Sequence, residues 1–411
     1  MLLIKSLLMV FFVGALVLIA PTGCNPSATN ESVSPARTLV TSSLIGTYSK
    51  EQISNRYSGA TVALRLVIQY GIKAYRLEYT TTNTDGKTIK ASGALLVPDG
   101  TASAPMLSLQ HGTITNDDDA PSNFQSSSEA YSYGSLFASL GYIIACPDYI
   151  GYGASKDLPH PYENRNGLAT ASLDMIRAAR DFLSDQKINW DKRLFIAGYS
   201  EGGYATMSLQ KKIEEETNGE FNLVASSCGA GAYDKPAFMK QIINEQTAGD
   251  DSINRLYVWV LLTYDRIYGL NRPMTYYFKE PYASQIASNG YGISINASLN
   301  TVFTDSFKQA INNGTDKAFL DAVQDNDVHD WKPSTPTHLY HGNADEIVSF
   351  LNSQNAYDAM RKRGATNVQL IPVQGGTHGS SIVAFILGTY NFFSDTLLKT
   401  KAQPATATTG L

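Results

Sequence analysis

The chemistry of this chain is most legible at Ala197-Gly-Tyr-Ser200-Glu-Gly-Gly203, where Gly198, Ser200 and Gly202 make a G-x-S-x-G pattern. An apolar run, Arg193–Gly198, reads as a strand before it, and Gly203–Glu214 reads as a helix after it. The chain must reverse sharply at Ser200, and flanking side chains would clash, so glycine is required on both sides. The turn exposes the hydroxyl above a helix N-terminus, where developing negative charge is favoured. A serine hydroxyl is a poor nucleophile without a base. In a strand–turn–helix setting the partners follow in the order Ser, Asp or Glu, His. Asp345 lies in the turn His341-Gly-Asn-Ala-Asp345-Glu-Ile-Val348, after the strand Thr337–His341. His378 lies in Gly375-Gly-Thr-His378-Gly379, after the strand Val368–Val373. His378 would take the Ser200 proton and pass it to the leaving group, while Asp345 would fix the imidazole tautomer and stabilise the imidazolium. Glu346 is the adjacent alternative; Asp345 is preferred because the shorter side chain sits in the Gly/Asn turn and Glu346 leads into the next helix.

Of the six histidines, only His378 has both the right order and the right element. His338 falls inside a strand, His341 shapes a turn, and His329 lies in the acidic connector Asp325–Asp330. His160 sits between two prolines in a loop, and His111 ends a strand and orients the loop after it. Acyl transfer also needs donors for an oxyanion. One is the backbone N–H of Glu201; the second is expected from Gln110-His-Gly-Thr113, at Thr113, with Gly112 the neighbouring choice.

Elements that could position these groups alternate along the chain. Tyr75–Thr82 and Lys87–Val97 read as strands joined by the turn Asn83-Thr-Asp-Gly86. Met106–Gln110 and Tyr142–Cys146 read as short buried strands, Asn222–Ser227 as another. Ser127–Leu140, Gly167–Leu183, Ser349–Arg363 and Ser380–Leu398 have helical spacing. This is an α/β pattern: a mostly parallel sheet covered by helices on both faces. The alternation stops between Lys235 and Trp331, a stretch too long for a plain loop, with the apolar helix Leu256–Tyr268 and Tyr276, Tyr277, Phe278, Tyr282 and Tyr291. An inserted helical cap over the strands' C-terminal ends is expected there.

The ends of the chain are of different character. Met1–Ala20 is apolar with Lys5 its only charge, and it leads into Pro21-Thr-Gly-Cys24, so a signal peptide over 1–23 is expected. The small residue before Cys24 resembles a lipobox, with Pro21 where leucine is usual; lipid on Cys24 would tether the protein to a membrane. The expected divisions are a flexible spacer at 24–43, a core at 44–234 and 334–398, the cap at 235–333 and a disordered tail at 399–411. An exported protein follows, a bacterial lipoprotein of the cell envelope or else secreted or periplasmic. With 32 Lys+Arg against 37 Asp+Glu the net charge is -5, which offers no footprint for nucleic acid. The 3 cysteines exclude a disulfide-stapled scaffold, and none are spaced for zinc. With Cys24 lipidated, Cys146 and Cys228 remain, and two buried thiols are preferred over a disulfide.

With these residues in place the chain resembles the alpha/beta-hydrolase superfamily, and within it the secreted lipases and esterases of the secretory lipase family. The resemblance is carried by the Gly198–Gly203 elbow, the His111-Gly112 loop, the run Pro147-Asp-Tyr-Ile-Gly-Tyr-Gly-Ala-Ser155, His160-Pro-Tyr162 and the helix Ser172–Ala179, and it covers Tyr70 to Leu398. It implies an alpha/beta-hydrolase fold with a helical cap insertion and hydrolysis of carboxylic esters through an acyl-serine, without metal or organic cofactor. Glu201 is a departure, since relatives often have glutamine there. The substrate is then a small-molecule or lipid ester, and a lipase or carboxylesterase leads over an acetyl or feruloyl carbohydrate esterase. A serine peptidase of the same fold would need an anchor for a peptide terminus. A binding protein on this scaffold would lack a triad member, and none is missing.

Overall fold

The computed structural model describes residues 37–402. The expected signal peptide, Cys24 and most of the expected tail lie outside the described residues. Among the described residues nine strands form one sheet: β1 (Leu39–Tyr48), β2 (Ile72–Thr82), β3 (Thr88–Pro98), β4 (Ala104–Gln110), β5 (Ile143–Pro147), β6 (Trp190–Tyr199), β7 (Asn222–Gly229), β8 (Thr337–Gly342) and β9 (Val368–Val373). Their order is β1-β2-β3-β5-β4-β6-β7-β8-β9. The first pairings, through β3 with β5, are antiparallel, and all later ones are parallel. This is the expected α/β-hydrolase architecture.

The parallel centre is buried on both faces, and its sequence shows it: every residue of β4 and β5 is buried. Alternate residues of β6 serve different layers. Leu194 and Ile196 pack with Leu173, Ile176 and Phe182 of helix Arg165–Asp185, while Phe195 and Ala197 pack with Phe385 and Phe393 of helix Ile382–Ala402. Helix Arg165–Asp185 starts where the Asn164 side chain accepts the Gly167 N–H at 2.8 Å. Cys146 and Cys228 are buried free thiols, and burial pushes the Cys228 thiol up to about 12.

Between β7 and β8 the chain leaves the sheet and forms a run of helices from Lys235 to Asp325, with an aromatic core of its own around Tyr277, Phe278, Phe303, Phe307 and Phe319. Its long helix, Asp251–Ile267, is capped by Asp250, whose carboxylate accepts from Ser252 and Ile253 N–H. Three elements differ from expectation. β1 takes up Leu39–Ser43 of the expected spacer: it pairs with β2, and the Asp181 carboxylate accepts from Thr38 and Leu39 N–H. The helix expected over Ser127–Leu140 is a wider π turn, Ala130–Gly134, followed by Ser135–Ser139, and it lets Gly134 seat against Leu96. Helix Ile382–Ala402 runs past Lys399 into the expected tail. Among the described residues no helix is long and apolar enough to cross a membrane.

Candidate active site

Ser200 sits between β6 and helix Glu201–Glu216 at φ 60 and ψ -124, in a region that residues with a side chain rarely occupy. The tight reversal is possible because its flanks are bare. A Cβ on Gly198 would lie 2.3 Å from the Gly202 carbonyl oxygen, and one on Gly202 would lie 2.2 Å from that of Gln110. The Ser200 N–H donates to the Gly229 carbonyl at 2.9 Å, fastening the turn to β7.

His378 Nε2 is 2.9 Å from Ser200 Oγ, and His378 Nδ1 is 2.7 Å from Asp345 Oδ2. A carboxylate accepts only, so Nδ1 carries the proton and Nε2 presents its lone pair to the hydroxyl. The main chain of His378 is held from two sides: its N–H donates to Glu346 Oε2 at 3.2 Å, and its carbonyl accepts from the Tyr199 hydroxyl at 2.7 Å. Glu346 therefore contacts the backbone of His378, whereas Asp345 contacts the ring. The Asp345 side chain is fully buried. Burial alone would raise its carboxyl, but hydrogen bonds from His341 and His378 outweigh it and hold the group at about 2. Its Oδ1 accepts from the N–H groups of Ile347 and Val348 at 2.9 and 2.8 Å.

The loop after β4 runs beside the serine: a Cβ on Gly112 would come 3.9 Å from Ser200 Cβ. The Gly112 N–H is already engaged, donating to Glu129 Oε1 at 3.0 Å. Burial pushes the Glu129 carboxyl up. The Thr113 hydroxyl lies 2.9 Å from that of Tyr162. His111 is buried and bridges backbone, with Nδ1 2.7 Å from the Gly112 carbonyl and Nε2 3.2 Å from that of Asp148. Glu201 turns its carboxyl inward to His160 Nε2 at 2.8 Å. Three partners thus escaped sequence reading. In sequence His341 and His160 stand only as turn and loop residues, and Glu129 carries no local signal at all.

Ser200 opens into a narrow chamber of about 20 Å³ bounded by Phe238, Tyr257 and Val260 of the insertion and by Ile347 and Val348. Glu163, Phe238, Tyr257 and Val260 also border an apolar cavity of about 70 Å³ that continues among Leu261, Phe303, Phe307 and Phe319. Both ion-pair partners at its wall, Glu163 and Lys235, are buried, which pushes the carboxyl up and the amine down. The Lys235 ammonium also lies 4.0 Å from the Tyr204 ring centroid. A second, open cleft of about 460 Å³ lies between the insertion and the core, with Tyr152, Trp259 and Tyr291 beside Asp117, Lys156 and Arg266. Away from these chambers, Asp234, Asp327 and His329 are the described residues that cluster with metal-ligand spacing. Their atoms are already used in structure: Asp234 caps helix Lys235–Asn244 and accepts from Asn355, and Asp327 bonds His329.

Residues 123–385, well over half of the chain, match the family described as Secretory lipase. No curated protein matches. Among solved structures, the Legionella pneumophila protein lpg1103 superposes with a TM-score of 0.77 at 22% identity, covering 88% of this chain and 98% of that one. A single-residue variant of the rice cell wall degrading esterase LipA from Xanthomonas oryzae gives 0.74 at 25% identity, covering 89% and 100%. Candida antarctica lipase A in its closed state shares the fold at 14% identity, with a TM-score of 0.63 over 89% of this chain and 83% of that one. Fold, helical insertion and family match agree: the chain belongs to the secretory lipase family, and it is a serine ester hydrolase of the α/β-hydrolase fold.

Proposed function

We propose that Ser200, His378 and Asp345 form the catalytic triad and that hydrolysis runs through an acyl-Ser200 ester. Ser200 Oγ attacks the ester carbonyl while its proton passes to His378 Nε2. The oxyanion accepts from the backbone N–H of Glu201 and of Thr113. Gly112 is the poorer second donor because its N–H is given to Glu129. Each such donor contributes about 3–4 kcal/mol to the transition state. Collapse expels the alcohol, which takes the proton from His378. Water then attacks the acyl carbon, His378 takes its proton, and the acid leaves as Ser200 regains its hydrogen. Asp345, ionised at any pH well above 2, stabilises the imidazolium in both halves. The observation that carries this reading is the unbroken line Asp345 Oδ2, His378, Ser200 Oγ at 2.7 and 2.9 Å. Ser200→Ala and His378→Ala should each abolish hydrolysis of p-nitrophenyl esters while leaving the melting curve cooperative; wild-type rates in either would remove the assignment.

The acyl group would enter the apolar chamber beside Ser200, which favours lipase or carboxylesterase substrates. A carbohydrate esterase is the second reading. It is favoured by the open cleft, where aromatic rings and charged side chains stand together as sugar recognition requires. Release of acetate from acetylated xylan, or of ferulate from feruloyl esters, faster than from p-nitrophenyl esters would select it. Export follows from the run Leu7–Ala20, and a lipid tether from Gly23-Cys24. Cys24→Ser should move the protein from the membrane fraction to the soluble one; an unchanged distribution would remove the tether.

A further inference from the structure

Glu201 poses an electrostatic problem for ester hydrolysis. Its N–H faces the nascent oxyanion in the reading above, and a bare carboxylate on the same residue would oppose that charge. The side chain is 1% exposed, and its partner His160 is 4% exposed, so water does little to screen it. His160 Nδ1 lies 2.7 Å from the Ile150 carbonyl, which can only accept, so Nδ1 bears a proton. The 2.8 Å contact between Nε2 and Glu201 Oε1 must then hold one further proton. Whether this makes an imidazolium with a carboxylate or an imidazole with a carboxylic acid, the pair is neutral.

We propose that His160 is a positioning residue for ester hydrolysis: it pins the Glu201 side chain away from the reacting carbonyl and cancels its charge, so that the oxyanion forms against the Glu201 N–H with no net negative charge beside it. The inference rests on the ester-hydrolase reading of Ser200. The surroundings leave this task to His160. The rings around it are Tyr149, Tyr152, Tyr162 and Trp259, and the insertion reaches it through Arg266, which donates to the His160 carbonyl at 3.1 Å. Burial raises the hydroxyls of those three tyrosines, so they stay neutral. Lys235 is taken up by Glu163, and Glu129 is itself an acid whose carboxyl burial raises, so neither side chain supplies a cation to Glu201. Loop position had hidden the residue: His160 follows β5 and meets the elbow 41 positions later in sequence.

The test is a double-mutant cycle on the full chain with p-nitrophenyl butyrate. His160→Gln should lower kcat about ten- to a hundredfold, short of the 10²–10³ that follows loss of an oxyanion donor, with KM little changed. Adding Glu201→Gln removes the charge that needs cancelling, so the double variant should regain most of that loss. A merely structural role would give a second loss instead of a rescue. His160→Asn with and without Glu201→Gln repeats the cycle should His160→Gln fail to fold. Wild-type kcat in the His160 variants, or no recovery in the double variants, overturns the proposal. An inactive wild-type enzyme, unlabelled at Ser200 by a fluorophosphonate, overturns the ester-hydrolase reading itself.

Discussion

Asp345 Oδ2 is shared by two imidazoles: His378 Nδ1 at 2.7 Å and His341 Nε2 at 3.3 Å. The one Nε2–H of His341 has the Val348 carbonyl as its nearer acceptor at 2.8 Å and Asp345 as its longer second one, and Nδ1 accepts from the Ser353 hydroxyl at 2.7 Å, so three neighbours hold the ring. It orients the acid as the acid orients His378. Removing it by His341→Leu should let the Asp345 carboxyl rise from about 2, loosen the acid's hold on the His378 ring, and lower kcat about tenfold. Wild-type kcat in His341→Leu would refute this.

The same depression makes a stability statement. Asp345 has a lower pKa folded than the 3.8 of the free side chain, so its contribution is present above about pH 4 and is lost as pH falls through about 2. The shift corresponds to about 2 kcal/mol. Urea unfolding of wild type and Asp345→Asn should show a stability difference that shrinks across that window. A difference independent of pH would contradict the linkage.

Which parts of this were readable beforehand follows from where the signals lie. Ser200, Asp345 and His378 each stand in a glycine-bearing turn after an apolar strand, so type, order and element coincide within a few residues of sequence. The mostly parallel sheet, and the insertion after β7, could be read from strand–helix alternation. The edge strand β1 could not, since it is rich in Ser and Thr and mostly exposed. Nor could the Glu129–Gly112 and His160–Glu201 contacts, which join loops 17 and 41 residues apart with no motif between them.

The elbow glycines should tolerate nothing larger. Gly202→Ala would drive a methyl to 2.2 Å from the Gln110 carbonyl, and neither β4 nor the helix can retreat from a central sheet position. A loss of about 3 kcal/mol or more is expected, read as a lower urea midpoint and a poor soluble yield. Wild-type stability would mean that the turn is looser than described.

If the acyl group enters the chamber beside Ser200 as proposed, that chamber sets the acyl selectivity. A cavity of about 70 Å³ takes only a few methylene groups without rearrangement, so butanoyl and hexanoyl esters should outpace hexadecanoyl ones. Val260→Trp fills the junction between the two chambers and should narrow the preference toward acetyl, with hexanoyl kcat/KM falling at least tenfold. An unaltered chain-length profile would place the acyl group elsewhere.

The most direct test of the triad is to treat the folded protein with a fluorophosphonate and map the adduct by peptide mass spectrometry. The expected result is a single phosphonylated residue, Ser200, and labelling at least a hundredfold slower in His378→Ala. Labelling at another serine, or at an undiminished rate without the imidazole, would contradict the account.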